Sequence, residues 1–367
     1  MTARANEQPS GPSAGPAYCD QPPDVEWPGV EWPRATHARQ GELEAIVDEV
    51  FRAPQYGETF AVVVLQRGRV VVERYGGHLE YFDRPPEAIT AATPLLSWSI
   101  AKSLLHFVIG TLVERGLFDP EARAPVAEWR RHDDPRREIR LRDLLAMRDG
   151  LGFVEEYQLG APSDVIEMLF GAGRDDVSAY AAAIALAHEP GTVFNYSSGT
   201  TNILSRVVAD VVGYGDHYRD YLNARLFEPL EMTSASAQFD ERGVFVASSY
   251  ARACALDYAR FGLLYLRGGR WRDQQLLTRE WVATAQNPLS HDVESGTYYA
   301  WQWWVEGDEY GTYWASGYEG QSISVVPRLD AVVVRFGRTA AEHYPDLRQW
   351  RRRVLRVLDD ALHDPPS

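Results

Sequence analysis

The chain has 367 residues, 45% of them hydrophobic and 24% charged. That is the make-up of a soluble globular protein with room for one large domain or two interleaved ones. A formal net charge of −15 argues against a nucleic-acid binder and against docking on acidic membranes. Two cysteines, Cys19 and Cys254, supply no disulfide framework, and no apolar run is long enough to span a bilayer.

Residues 1–36 are rich in Pro, Gly and Ser and read as an irregular lead-in, with Cys19 in a disordered segment. The first residues hold no apolar core of a secretory signal, so a cytoplasmic protein with free thiols is expected. A helix follows over Gln40–Ala53, with Leu43, Ile46, Val47 and Val50 on one stripe. Phe60–Gln66 and Val70–Tyr75 flank Arg67-Gly68-Arg69 as a β-hairpin. A long helix is expected from Ser97 to Arg115, stopped by Gly116. Further helices are expected at Ser178–Ala187, Gly199–Val212, His217–Phe227, Leu256–Leu266 and Arg279–Gln286. Strands return at Tyr299–Val305, Thr312–Ala315, Ser322–Val326 and Ala331–Phe336, before a final helix over Asp346–Leu362. The basic runs Arg130-Arg131 with Arg136-Arg137, and Arg351-Arg352-Arg353, read as solvated surface.

This order predicts an α+β fold in which one antiparallel sheet is assembled from both chain ends and flanked by helices. The expected divisions are the lead-in 1–36, a sheet domain from 37–92 and 290–367, and a mostly helical insert, 93–289.

Against thirty-six arginines the chain has a single lysine, Lys102, three residues after Ser99. Arginine stays protonated in proteins, whereas a desolvated lysine can give up its proton and act as a base. Ser99-Ile100-Ala101-Lys102 is a Ser-x-x-Lys string, and three residues on a helix bring two side chains to one face. The rest of that helix is apolar (Leu104, Leu105, Phe107, Val108, Ile109, Leu112, Val113), so only its first turn is expected to face a cleft. Burial and the helix dipole both disfavour an ammonium there, and the Ser99 N–H is free to hold an oxyanion. The bland alternative is a capping serine beside a lysine that reaches for solvent.

Two further segments bear on that choice. In Pro190-Gly191-Thr192-Val193-Phe194-Asn195-Tyr196-Ser197-Ser198-Gly199, Tyr196 stands at a loop tip where a phenol can share a proton network with a serine–lysine pair. Ala315-Ser316-Gly317-Tyr318-Glu319-Gly320-Gln321 is a Gly-rich strand edge where a backbone N–H can complete an oxyanion hole, or else a plain hairpin turn.

In order and rough spacing these three segments resemble the penicillin-recognising serine hydrolases (the beta-lactamase family), in their class C and serine esterase branch. Leu144-Leu145-Ala146-Met147-Arg148-Asp149-Gly150-Leu151 and Asp257-Tyr258-Ala259-Arg260-Phe261-Gly262-Leu263-Leu264 support the likeness, which covers about residues 40–365. Ser198 at the end of the tyrosine motif, Trp301-Gln302-Trp303-Trp304 and the Gly317–Gln321 segment resemble 6-aminohexanoate-dimer hydrolases and related carboxylesterases. The resemblance implies a beta-lactamase/transpeptidase-like fold and an acyl-enzyme on Ser99, with Lys102 as base and Tyr196 in the proton network. It also implies that the Tyr318 N–H is the second oxyanion donor and that Tyr157 touches substrate, with Ser316, Gly317 and Ser198 lining the site.

One departure bears on substrate. Penicillin-binding members carry Lys-Thr-Gly where this chain has Ala315-Ser316-Gly317, so no cation waits for a substrate carboxylate. An ester or linear amide is therefore expected over a penicillin or D-Ala-D-Ala peptide, with no metal and no cofactor. The rival is a non-catalytic ligand-binding protein on the same scaffold. Gly11-Pro12-Ser13-Ala14-Gly15 lacks the strand and helix of a nucleophile elbow, and no metal-binding string occurs. His106 on the apolar helix reads as a core residue; His343 is a lesser candidate for the cleft rim.

Overall fold

A computed structural model describes residues 17–81, 83–158 and 160–363. The Gly11–Gly15 string lies outside them. An eight-stranded antiparallel sheet organises the chain. Its strands are β1 (Glu58–Gln66), β2 (Arg69–Tyr75), β3 (Ser290–Asp292), β4 (Thr297–Tyr299), β5 (Trp304–Val305), β6 (Tyr313–Gly317), β7 (Gln321–Val326) and β8 (Ala331–Arg338). Their spatial order is β3-β4-β5-β6-β7-β8-β1-β2. The two chain ends meet where β1 pairs with β8, Val63 opposite Val334. The sheet built from both ends is thus as expected.

Both faces of the sheet are covered, so its central strands read as unbroken apolar runs rather than alternating ones. Along β1, Val62 and Val64 pack toward α1 (Gln40–Arg52) and α5 (Tyr344–His363), with Leu43, Val47, Val50, Trp350 and Val354. Ala61, Val63 and Leu65 point the other way, into the larger core with α2 (Ile100–Glu114) and α4 (Ala255–Leu266). Gly262 lets α4 lie close on the sheet: a Cβ there would stand 2.6 Å from Val332 Cγ1. Beyond them, α3 (Ser198–Val212) and shorter helices form the helical part.

Several expectations need correcting. The segment from residue 17 to 36 is packed, not disordered: Val25 and Trp32 are buried, and Cys19 donates its N–H to Leu266 O and its thiol to Pro327 O. Apolar anchors outweigh its Pro-rich composition, and backbone bonds between Pro33, Ala35 and Val70 tie it to the edge of β2. The strand expected over Tyr299–Val305 is broken by a tight turn, with Gln302 at φ 57. The Gln302 side chain goes inward, bonding to Leu145 O and Thr201. The helix expected over Ser178–Ala187 ends at Ala183, after which Ala185 and Ala187 bond to the Gly150–Gly152 backbone. The helix Asp164–Phe170, capped by the Ser163 hydroxyl, was not foreseen.

Nor are the arginines of 351–353 simply solvated. Arg351 is buried, and with Arg348 and Arg352 it surrounds the Glu306 carboxylate, while Arg353 pairs with Glu49 of α1. The planar guanidinium forks fasten α5 to its neighbours.

Candidate active site

Ser99 stands in the turn that starts α2. Its predecessor Trp98 has φ 44, a left-handed conformation that a bulky residue holds only under constraint. Three contacts supply the constraint. The indole N–H donates to the Glu319 carboxylate at 3.3 Å. The ring meets Tyr318 edge-on at 5.6 Å. Below it, the Ser97 hydroxyl accepts the Ala251 N–H at 3.0 Å. Gly317 lies against the same turn, where a Cβ would come within 2.4 Å of Ser97 O. Glycine is therefore needed for β6 to end beside the turn that carries Ser99.

One turn along, Lys102 is only 1% exposed. The bland reading, a lysine reaching for solvent, is excluded. Its Nζ is 2.9 Å from Ser99 Oγ, 3.1 Å from Ser198 Oγ and 3.0 Å from the Ser248 carbonyl. Burial pulls its pKa from 10.5 down to about 8, against the opposing pull of the Glu155 carboxylate. The Ser248 carbonyl is pinned in turn, because Asn202 exchanges hydrogen bonds with both the N–H and the hydroxyl of Ser248.

Tyr196 lies in the loop before α3. Its ring centroid is 4.9 Å from Lys102 Nζ and its hydroxyl interacts with the Ser99 side chain. Trp304 and Tyr299 hold the ring at 5.4 and 5.8 Å. Burial, then the Glu155 charge, pushes the phenol well above its usual pKa, so it is protonated and able to donate. The two serines that follow divide the work. Ser197 caps α3 by accepting the Thr200 N–H, while Ser198, first residue of the helix, turns to Lys102.

Tyr157 sits in an irregular segment. It stacks on Tyr318 at 4.8 Å and donates its hydroxyl to Glu155 at 2.6 Å. The structure therefore brings Ser99, Lys102, Tyr196 and Ser198 together directly, with Gly317 and Tyr318 on the adjoining strand edge. Tyr157 joins them by stacking on Tyr318 and by its bond to Glu155. Ser316 lies one residue from Gly317 on β6, opposite Ser322, and makes no side-chain hydrogen bond among the described residues.

Glu155 is the residue that sequence reasoning overlooked. It accepts from the Ser198 N–H at 2.7 Å and from the Ser198 hydroxyl at 2.6 Å. Only its place beside Tyr157 in the string Glu155-Glu156-Tyr157 pointed to it. His106 is a core residue, as expected: its ring nitrogens bond to Tyr265 and Thr284, and burial lowers its pKa to about 3. His343 pairs with Asp346 instead of joining the serine–lysine pair. No cluster of His, Cys, Asp and Glu among the described residues could hold a metal ion, and none of their helices is long and apolar enough to cross a membrane.

The chain is similar to several known proteins. A 6-aminohexanoate-dimer hydrolase of Paenarthrobacter ureafaciens is 27% identical over 326 residues, covering 82% of this chain and 77% of that protein. Among solved structures, a family VIII carboxylesterase superposes with a TM-score of 0.69 at 13% identity, over 89% of this chain and 99% of its own. A penicillin-binding protein from Bacillus halodurans gives 0.63 at 16% identity, over 84% and 99%. At such identities these two show a shared fold. The beta-lactamase family model matches residues 47–357. The chain thus belongs to the beta-lactamase family and is a serine hydrolase.

Proposed function

We propose that this hydrolase cleaves small esters or linear amides through an acyl-enzyme on Ser99. The observation that carries the reading is the buried Lys102 amine 2.9 Å from Ser99 Oγ. Lys102 takes the Ser99 proton as the Oγ–carbon bond forms, and the carbonyl π pair moves onto oxygen. The Ser99 and Tyr318 N–H groups hold that oxyanion; loss of one such donor costs roughly 3 kcal/mol in comparable sites. As the carbon–heteroatom bond breaks, Tyr196 passes a proton from Lys102 to the departing alcohol or amine. Water then attacks the acyl-enzyme by the same route and restores Ser99.

Charge supports the choice of substrate. Ala315, where the resemblance implies that penicillin-binding members carry a lysine, is buried and uncharged, and the Glu319 carboxylate beside the Ser99 turn is held by Trp98. A substrate carboxylate would be desolvated without a partner. The curated relative is named for a linear amide dimer.

A fluorophosphonate probe with mass mapping of the adduct is expected to label Ser99. Absence of labelling in folded protein would favour a non-catalytic binding protein. Side by side, p-nitrophenyl esters and aminohexanoate dimer are expected to turn over faster than nitrocefin; the reverse order would overturn the substrate class.

The pH profile follows from Lys102. Its free amine is the active form and its pKa is about 8, so kcat/KM should fall tenfold per pH unit below 8 and level off above it. A profile flat from pH 6 to 9, measured on an ester with an unreactive leaving group, would contradict the assignment.

A further inference from the structure

We infer that Glu155 is a positioning residue that orients the Lys102 amine through the Ser198 hydroxyl; the inference rests on the serine–lysine reading above. The argument is one of counting protons. A neutral amine has two N–H bonds and one lone pair, and Lys102 Nζ has three neighbours: Ser198 Oγ, Ser248 O and Ser99 Oγ. The Ser248 carbonyl can only accept. The Ser198 hydroxyl could donate or accept, but its one proton is committed to Glu155 Oε1 at 2.6 Å, so toward Lys102 it too can only accept. Both N–H bonds are then spent, and the lone pair is left facing Ser99. Without the carboxylate, the Ser198 proton is free to turn onto Nζ and occupy the lone pair the nucleophile requires.

The carboxylate is itself held in place. Oε2 accepts the Ser198 N–H at 2.7 Å, and Oε1 accepts the Tyr157 hydroxyl at 2.6 Å as well. It serves again once Lys102 has taken the Ser99 proton, because the new ammonium lies one hydroxyl away from a negative charge. The other titratable groups around the amine are phenols: Tyr196 beneath it, Tyr299 behind Tyr196, Tyr157 on Glu155, and Tyr344 acting on Tyr196. Glu155 is the carboxylate among the described residues that acts on Lys102.

Because the chain has one lysine, protein grown with lysine carrying 13C at Cε has one such resonance, and its pH titration reads Lys102 directly. Wild type should show a midpoint near 8. Glu155→Gln, which keeps the shape and removes the charge, should lower that midpoint by about one pH unit. Its kcat/KM plateau should fall about 100-fold, with the acidic limb moving down in step. Glu155→Asp should keep the midpoint near the wild-type value. Ser198→Ala, which removes the bridge and keeps the carboxylate, should also lower the midpoint, and it serves if Glu155→Gln does not fold. An unmoved midpoint in either folded variant, or an activity loss with no movement of the limb, overturns the role given to Glu155. That failure is distinct from failure of the hydrolase reading, in which wild-type Ser99 would not take up a fluorophosphonate at all.

Discussion

Purified Lys102→Arg protein is expected to lose about a thousandfold or more of kcat/KM on an ester substrate, although the substitution keeps the charge. A guanidinium remains protonated at any working pH and has no lone pair to offer Ser99. It is also planar and larger than the amine it would replace, in a space where Lys102 is 1% exposed and its Nζ is fitted to three oxygens within 3.1 Å. Ser99→Ala should do at least as much damage, since it removes the atom proposed to be acylated. On the proposed mechanism the pair acts as a unit, so the double variant should be no worse than the more damaged single one. Near-wild-type hydrolysis by Lys102→Arg, with Ser99 still the labelled residue, would end the account of lysine as base.

Lys102→Met should move stability in the opposite direction to activity. The folded protein holds this amine at a pKa of about 8, below the ordinary 10.5. A depressed folded value means that the lysine favours the native state least at low pH. Its cost is full below pH 8, shrinks as pH rises, and vanishes near 10.5. At pH 7 that cost is about 3 kcal/mol. Methionine removes it but leaves Ser198 and the Ser248 carbonyl short of a donor, which offsets part of the gain. The net expectation is an inactive protein about 1–2 kcal/mol more stable to urea at pH 7, with the advantage gone by pH 10. Equal or lower stability at pH 7 would mean that the buried amine is not held against its preference.

How much of this was legible beforehand varies with the kind of contact. Ser99 and Lys102 stand three positions apart at the start of one helix, so composition and local spacing located them. Tyr196 and Ser198 needed the wider motif order, because nothing local brings residue 196 to residue 99. Glu155 was marked only by its place in the string with Tyr157, and its role could not be read: its bonds to Ser198 cross 43 positions and depend on an irregular segment whose path has no periodicity. The Ser248 carbonyl is backbone, which carries no mark in a sequence. Similarly, α1 was visible as an apolar stripe, whereas the break inside Tyr299–Val305 was not. Its cause is a buried Gln302 whose partners, Leu145 and Thr201, lie far off in the chain.

The pairing of β1 with β8 also governs how this protein is made. Glu58 to Gln66 lie opposite residues 331–338, so β1 waits through more than two hundred intervening residues for its second partner. Until then the hairpin of β1 and β2 presents one bare edge and the apolar run Phe60–Leu65 to whatever is near. Local helices can form early, but the long-range pairing that closes the sheet comes last, after synthesis has passed residue 338. The emerging chain is therefore at its stickiest while the helical middle is being translated, and recombinant yield should respond more to slowed translation and chaperone supply than to the stability of the finished fold.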